Sequence, residues 1–396
     1  MPIQVFPTPS AGASYSSQPP ASASSVLLDG QLVTATSIST SVTGTGAPWL
    51  LYANGAGTTT ITIAGTAYTV TAGSTVGTSA YTGSQSVTVS ASSFSAPATF
   101  TASTMPSSSN WYGITYGNGY YVAVQGSGTT AGAYSTNGTS WTASTMPSSA
   151  VWRGVTYGNG YFVAVASGTT AGAYSTNGTT LTASTMPSSS SWISVTYGNG
   201  YFVAVASGTT AGAYSTNGTS WTASTMPSSS VWNGVTYGNG YFVAVAQSTT
   251  AGAYSTNGTT WTASTMPSAS AWDSVTYGNG YYVAVASSTT AGAYSNDGIT
   301  WTASTMPSAS SWRGVTYGNG YYVAVQGSAS TAGAYSTNGT TWTASTMPSS
   351  SVWQSVTYGN GYFVAVATGT TAGAYFAQSA LLPVAYGIYN GATVRA

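Results

Sequence analysis

One unit recurs along most of this chain. It opens on a Trp and reads W-x-[GS]-[IV]-T-Y-G-N-G-Y-[YF]-V-A-V, with its tryptophans at Trp111, Trp152, Trp192, Trp232, Trp272, Trp312 and Trp353. Their spacing is 40 or 41 residues. A repeat constrains a fold more tightly than any local motif, because one copy cannot bury itself alone and must stack on its neighbours.

The strands within a copy follow from alternation and turn chemistry. In the second copy, Trp152 to Tyr157 alternates, Gly158-Asn159-Gly160 is a tight turn, and Tyr161 to Ala166 is a second strand. Gly and Asn accept the positive φ that hairpin turns demand. A third strand, Ala171 to Ser175, meets a fourth, Thr179 to Ser184, across Asn177-Gly178. The Pro of each S-T-M-P-S segment cannot donate to a ladder, so it is expected to break the chain between copies. Four short strands, here called a to d, with a period near 40 and no helical pattern, describe a propeller blade.

Copies one to six end in a d strand marked by Trp141, Leu181, Trp221, Trp261, Trp301 and Trp342, each followed by T-A-S-T-M-P. The seventh departs after Tyr375. The missing piece stands at the other end, where Phe100-Thr101-Ala102-Ser103-Thr104-Met105-Pro106 precedes the first copy with no a, b or c strands of its own. Residues 98–104 are therefore expected to supply strand d of the seventh blade, which hides two edges that would otherwise template aggregation. The alternative is an open solenoid with an orphan strand at each end. The fold class expected is all-β: a seven-bladed β-propeller over 96–376 with a small N-terminal β-sandwich-like domain. The repeat-start Trp set, the aromatics of strand d and the Tyr after each V-T are expected to fill the wedges between blades.

At the c–d turn, Ser295-Asn296-Asp297-Gly298-Ile299-Thr300-Trp301 resembles an Asp-box, S-x-D-x-G-x-T-W, one residue short in its turn. Asn137, Asn177, Asn217, Asn257 and Asn338 replace the Asp elsewhere, and either side chain can cap such a turn. The unit is similar to the Asp-box (BNR-like) propeller repeats of sialidases, photosystem assembly factors and many bacteriophage virion proteins. That resemblance is specific for fold and weak for function. It does not bring sialidase chemistry, which uses three arginines, a Tyr/Glu pair and an acidic proton donor. This propeller has two arginines, and the chain has no Glu.

Charge is the anomaly of the composition. Only Arg153, Arg313, Arg395, Asp29, Asp273 and Asp297 are charged, 2% of the chain against about 25% in an ordinary domain. There is no His and no Cys. No basic patch exists to release counterions from a phosphate backbone, so no nucleic-acid partner is expected. No cluster has metal-ligand spacing, and no metal or cofactor is expected. Ser and Thr abound, but no His or Lys can activate one, and two Asp and two Arg on different blades form no acid–base dyad. The chain therefore reads as a non-enzyme. No run approaches the roughly 18 apolar residues of a membrane span. The start, MPIQVFPTPS, has neither the basic nor the apolar region of a secretory signal.

Near-identical copies make variation visible within the chain. The residue after the repeat-start Trp is Tyr112, Arg153, Ile193, Asn233, Asp273, Arg313 or Gln354. The b–c loop also varies, with Gln125, Gln247 and Gln326 and an extra residue in copies one and six. In an antiparallel blade the d–a and b–c loops emerge on one face, so variation gathers on one rim, around the mouth of the channel. Tyr112, Arg153, Asn233, Asp273, Arg313, Gln354, Gln125, Gln247 and Gln326 are the candidate ligand contacts. Drift at tolerant loop positions is the competing explanation.

Outside the propeller, residues 1–25 read as an extended Ser/Pro/Ala-rich arm. Residues 26–95 read as a small β anchoring domain, with runs Gln31 to Thr36, Trp49 to Tyr52, Thr58 to Ile63, Ala67 to Ala72 and Ser86 to Ser90. Residues 377–396 form a tail that includes the apolar segment Leu381 to Tyr386. This layout, with its nearly uncharged Ser/Thr/Gly surface, resembles a bacteriophage virion fibre. The expected function is a non-enzymatic virion surface protein, made in the host cytoplasm. Its residues 1–95 would meet other virion proteins and further copies of itself, and its propeller a host receptor or glycan. The alternatives are a structural decoration protein and a free carbohydrate-binding lectin.

Overall fold

The structure is a computed structural model that describes residues 37–53, 58–71, 75–90, 96–378 and 386–390. Every regular element among them is a β-strand. The expected arm 1–25, the run Gln31 to Thr36 and the tail segment Leu381 to Ala385 lie outside the described residues. The chain divides into two compact units, Ala96–Ala377 and Met1–Ser95 with Gln378–Ala396.

The described strands of the smaller unit are β1 (Ser37–Ala53), β2 (Thr58–Ile63), β3 (Thr66–Thr71), β4 (Thr75–Ser90) and a C-terminal strand, Tyr386–Asn390. They make one antiparallel sheet in the order Tyr386–Asn390, β1, β4, β2, β3. The expected sandwich needs two packed sheets, and the described strands make one. Within it β1 and β4 pair along almost their whole lengths, from Ser37↔Ser90 to Tyr52↔Thr75, so runs expected as separate short strands join one ladder. The β2–β3 hairpin turns at Ala64 and Gly65, both at positive φ. Part of the C-terminal tail becomes the edge strand beyond β1, from Trp49↔Asn390 to Ala53↔Tyr386.

In the larger unit each copy folds as its sequence implies. In the second, strand a is Val151–Gly158, b is Tyr161–Ser167 and c is Thr169–Ser175. The a–b turn holds Asn159 at φ 47° and Gly160 at φ 82°, the double positive φ of a type I′ hairpin. At the c–d turn, Asn177 Oδ1 accepts from the N–H groups of Thr179 and Thr180, each at 3.0 Å, and Ser175 Oγ accepts from Gly178 N–H at 2.9 Å. Asp297 makes the same bonds to Ile299 and Thr300.

The proline breaks the strand at the first junction, where Thr142–Thr145 ends before Met146-Pro147 and the next strand starts at Val151, but not at later ones. Thr182–Gly198 runs as one strand through Met186-Pro187, so strand d of one copy becomes strand a of the next. The ladder to strand c instead skips from Ala171↔Thr185 to Thr169↔Ser190. The proline lies in that bulge, where no ladder N–H is required.

The two ends of the repeat array meet. Thr101–Ser109 pairs antiparallel with Thr370–Ala377, from Tyr375↔Thr101 to Ala372↔Thr104. Just before it, Phe100 N–H donates to Thr346 O and Thr346 N–H to Ala98 O, both at 2.8 Å. Parallel bridges of this kind join other neighbouring copies, as at Thr185↔Ser220, Thr225↔Thr260 and Thr104↔Ser140. The repeated sheets thus turn about a common axis in a propeller-like ring.

Wedges between the sheets hold the core. All seven repeat-start tryptophans have no solvent exposure. Each Nε1–H donates to the carbonyl four residues earlier, as from Trp152 to Ser148 O at 3.2 Å and from Trp272 to Ser268 O at 3.0 Å. An aromatic ring of this size buries roughly 150–250 Å², and its donor is satisfied by the d–a crossover. The start of strand a is thereby fixed on both sides.

Candidate functional site

The residue after each of these tryptophans sits in a β-bulge. In the second copy Trp152 faces Ala166 and Gly154 faces Val165, which leaves Arg153 as the extra residue. The same shift leaves Tyr112, Ile193, Asn233, Asp273, Arg313 and Gln354 without ladder partners. A bulge re-aims its side chain out of the normal alternation. Here the buried Trp goes into the wedge and the bulged residue is turned toward the axis.

All seven bulged residues line one cavity of about 370 Å³. A cavity touched by the equivalent residue of every copy lies on the axis of the ring. Ser207, Val231 and Gln247, from b–c and d–a loops, complete its rim. Three of the four charged side chains between residues 96 and 377 are here: Arg153, Asp273 and Arg313. The fourth, Asp297, caps a c–d turn. Burial opposes its charge, but hydrogen bonds from Thr300, Ile299 and Ser295 hold its carboxyl below the ordinary value.

The mouth has two unlike sides. On one, Asp273 is 7% exposed. Its Oδ1 accepts from Asn233 Nδ2 at 2.7 Å and from Gln247 Nε2. Its Oδ2 faces Arg313 Nε at 3.7 Å, an ion pair with no hydrogen bond. Copies four, five and six thus share one polar cluster. On the other side, the Arg153 guanidinium carbon lies 3.9 Å from the centre of the Tyr112 ring. Such a stack is worth about 0.5–2 kcal/mol, depending on desolvation.

Of the nine candidates, Tyr112, Arg153, Asn233, Asp273, Arg313, Gln354 and Gln247 converge on this cavity. Gln125 and Gln326 do not. Both are fully buried, where other copies have Ala166 or Ala206. Gln125 Nε2 donates to Thr129 O at 3.0 Å and Oγ1 at 2.6 Å, and its Oε1 accepts from Ser127 N–H at 2.6 Å. Gln326 repeats this with Ser330 and Ser328. They brace the b–c loop rather than face a ligand, which corrects the expectation that they are contacts.

Those braced loops nevertheless lie against residues that line the cavity. A Cβ at Gly126 would run into the Tyr112 ring, and one at Gly327 would come within 2.9 Å of Arg313 Cγ. The Gln-Gly-Ser loops of copies one and six therefore make room for the bulky residue that their own copy places at the mouth. Ile193, a variable position outside the nine candidates, and Ser194, Ser274 and Ser355 also line the cavity. Ser194 and Ser274 accept the N–H groups of Val235 and Val315 at 3.2 Å, tying one copy to another. For the serines the signal was the Gly/Ser choice two residues after each Trp. Among the described residues no three His, Cys, Asp or Glu side chains gather to hold a metal.

No family model and no curated protein matches the chain. Solved structures do. A streptogramin B lyase is 14% identical with a TM-score of 0.63, covering 70% of this chain and 97% of its own. A catalytically inactive His-to-Ala variant of virginiamycin B lyase from Staphylococcus aureus, with quinupristin, is 13% identical with a TM-score of 0.63, covering 72% and 99%. YCF48 from Cyanidioschyzon merolae is 12% identical with a TM-score of 0.55, covering 70% and 98%. At such identity the likeness carries the fold, a β-propeller, and not the reaction.

These neighbours correct two expectations. The chain was read as a non-enzyme, yet the lyases that share its fold are enzymes. It was read as a virion fibre, with a decoration protein or a lectin as alternatives, and the neighbours support none of the three. The Asp-box resemblance rests on its turn residues alone.

Proposed function

We propose that residues 96–377 are a seven-bladed propeller that binds a small polar molecule at the mouth of its axis. In this reading the seventh blade is a composite of residues 353–377 and the strand Thr101–Ser109, which lets every copy present its bulged residue to one cavity. The observation that carries the proposal is that convergence. The position where near-identical copies differ most is the position every copy turns toward one space, and three of the four propeller charges lie there. Drift at tolerant positions does not account for a buried carboxylate whose three polar partners come from two other copies.

The volume suits a small ligand, since ligand cavities run from about 300 to 1,000 Å³. Asp273, Asn233, Gln247 and Arg313 would fix its orientation, with Ile193 as an apolar wall. The virginiamycin B lyase lost catalysis when a His was replaced. This chain has no His, so whatever happens to its ligand rests on other groups.

A thermal-shift screen of the full chain against organic acids, sugars, nucleosides and short peptides tests the reading. At least one class should raise the melting temperature of the wild type and leave a variant with Arg153→Ser, Asp273→Ser and Arg313→Ser unmoved. Equal shifts in both proteins, or none in either, would count against it.

A further inference from the structure

The two arginines of the mouth are in opposite electrostatic states. Arg313 faces the Asp273 carboxylate. Arg153 has no acidic partner among the described residues. Its Nε, like that of Arg313, is buried and makes no hydrogen bond, but unlike Arg313 it has no carboxylate opposite it among those residues. A guanidinium carries five N–H donors and cannot shed its charge. Leaving its Nε–H dry and unpaired is costly, and the stack on Tyr112 does not satisfy it, because the stack engages the face of the group and not its edge.

From this we infer that the Arg153–Tyr112 side of the mouth is an oxyanion subsite, taking a carboxylate or phosphate group of the ligand in the plane of the Arg153 fork. The inference rests on the mouth being the binding site. Tyr112 holds the guanidinium from one face and Gly126 gives that ring its place, so the fork is set before the ligand arrives. Preorganisation of this kind lowers the entropy cost of binding. The charge around the cavity agrees: Arg153 and Arg313 against Asp273 leave one positive charge uncompensated. Asp273 does not compete for the subsite, since its Oδ1 is already held by Asn233 and Gln247.

The chain has only three arginines, so each side-chain Nε resonance can be followed in full-length protein labelled with ¹⁵N-arginine. Sodium acetate and inorganic phosphate would be titrated separately, with sodium chloride at matched ionic strength as the control. The Arg153 resonance should shift saturably with one or both anions while Arg395 follows the chloride control. Acetate alone would mark a planar carboxylate subsite and phosphate alone a tetrahedral one. Arg153→Gln should weaken that anion about tenfold or more, and Arg153→Lys should restore only part of the loss, because it keeps charge without the fork. An Arg153 resonance that moves no further than that of Arg395 overturns the inference. If a neutral compound from the screen still moves Arg313, the mouth remains the site and only the anion assignment fails. If nothing moves either arginine, both readings fall.

Discussion

Gly359, at the end of strand a in the last copy, lies directly beneath the ring of Tyr116 in the first. The same relationship steps round the ring, from Gly117 to Tyr157, Gly158 to Tyr197, Gly198 to Tyr237 and onward, and the Gly359–Tyr116 pair is the step that closes it. Tyr121 adds a hydrogen bond from its hydroxyl to Gly359 O across the same junction. Burial, with the nearby tyrosines, pushes the Tyr121 hydroxyl well above its ordinary value, so it stays a donor. Gly359→Ala would drive a methyl into the Tyr116 ring. It should destabilise the protein by about 1–3 kcal/mol in denaturant unfolding, and Gly320→Ala, which meets open space but sits at φ 86°, should act only through backbone strain.

Phe100 tests the composite sheet from the other side. It is 3% exposed, its ring centre is 5.9 Å from that of Phe376, and it packs with Trp353 and Phe363 of the last copy. Phe100→Ala should cost about 3–5 kcal/mol by urea unfolding. A loss below about 1 kcal/mol would mean that this strand is an appendage and not a part of the core.

Asp273→Ala should lower stability by about 1–3 kcal/mol, because it leaves the Asn233 and Gln247 amides and the Arg313 guanidinium without their acceptor. The estimate stays at the modest end for an ion pair because Arg313 keeps 37% of its side-chain exposure. Asn233→Ala and Asp273→Ala together should cost less than the sum of the two, since they share one bond.

Asp297 makes a pH prediction. Its carboxyl is held below its ordinary value of 3.8 in the fold. A depressed folded value contributes stability that is present above the unfolded value and lost as pH falls through the folded one. The melting temperature of the wild type should therefore fall relative to Asp297→Asn as pH drops below about 4, with the difference constant from pH 5 to 7. Parallel curves at all pH values would contradict the assignment.

Much of this was legible because turn chemistry and period are local. Asn159-Gly160 can make few turns other than the one observed, and the Phe100 segment announced itself by repeating a d strand without its partners. The mouth was legible for a different reason: identical copies expose their differences. Gln125 and Gln326 were misplaced because variation was read as exposure. The period-2 alignment of Gln125 with the buried Ala166 was the sign that it faces inward. The bulge at Arg153 had no sequence mark beyond the small residue after it, since a one-residue shift in pairing depends on the partner strand. The proline at Pro187 was read as a break because local rules see the missing donor but not the bulge that makes it harmless. In the smaller unit, short alternating runs gave strands but not their register, and so could not distinguish one long ladder from two sheets.

The most direct measurement of the central claim is a crystal structure of the full chain with the strongest compound from the screen. The compound should lie on the axis, within hydrogen-bond distance of Asp273, Arg313 or Arg153, and touch bulged residues of several copies. A compound bound elsewhere, for example in the Ser/Thr-lined groove of about 480 Å³ beside Ser148 and Thr169, with the mouth left empty, would contradict it.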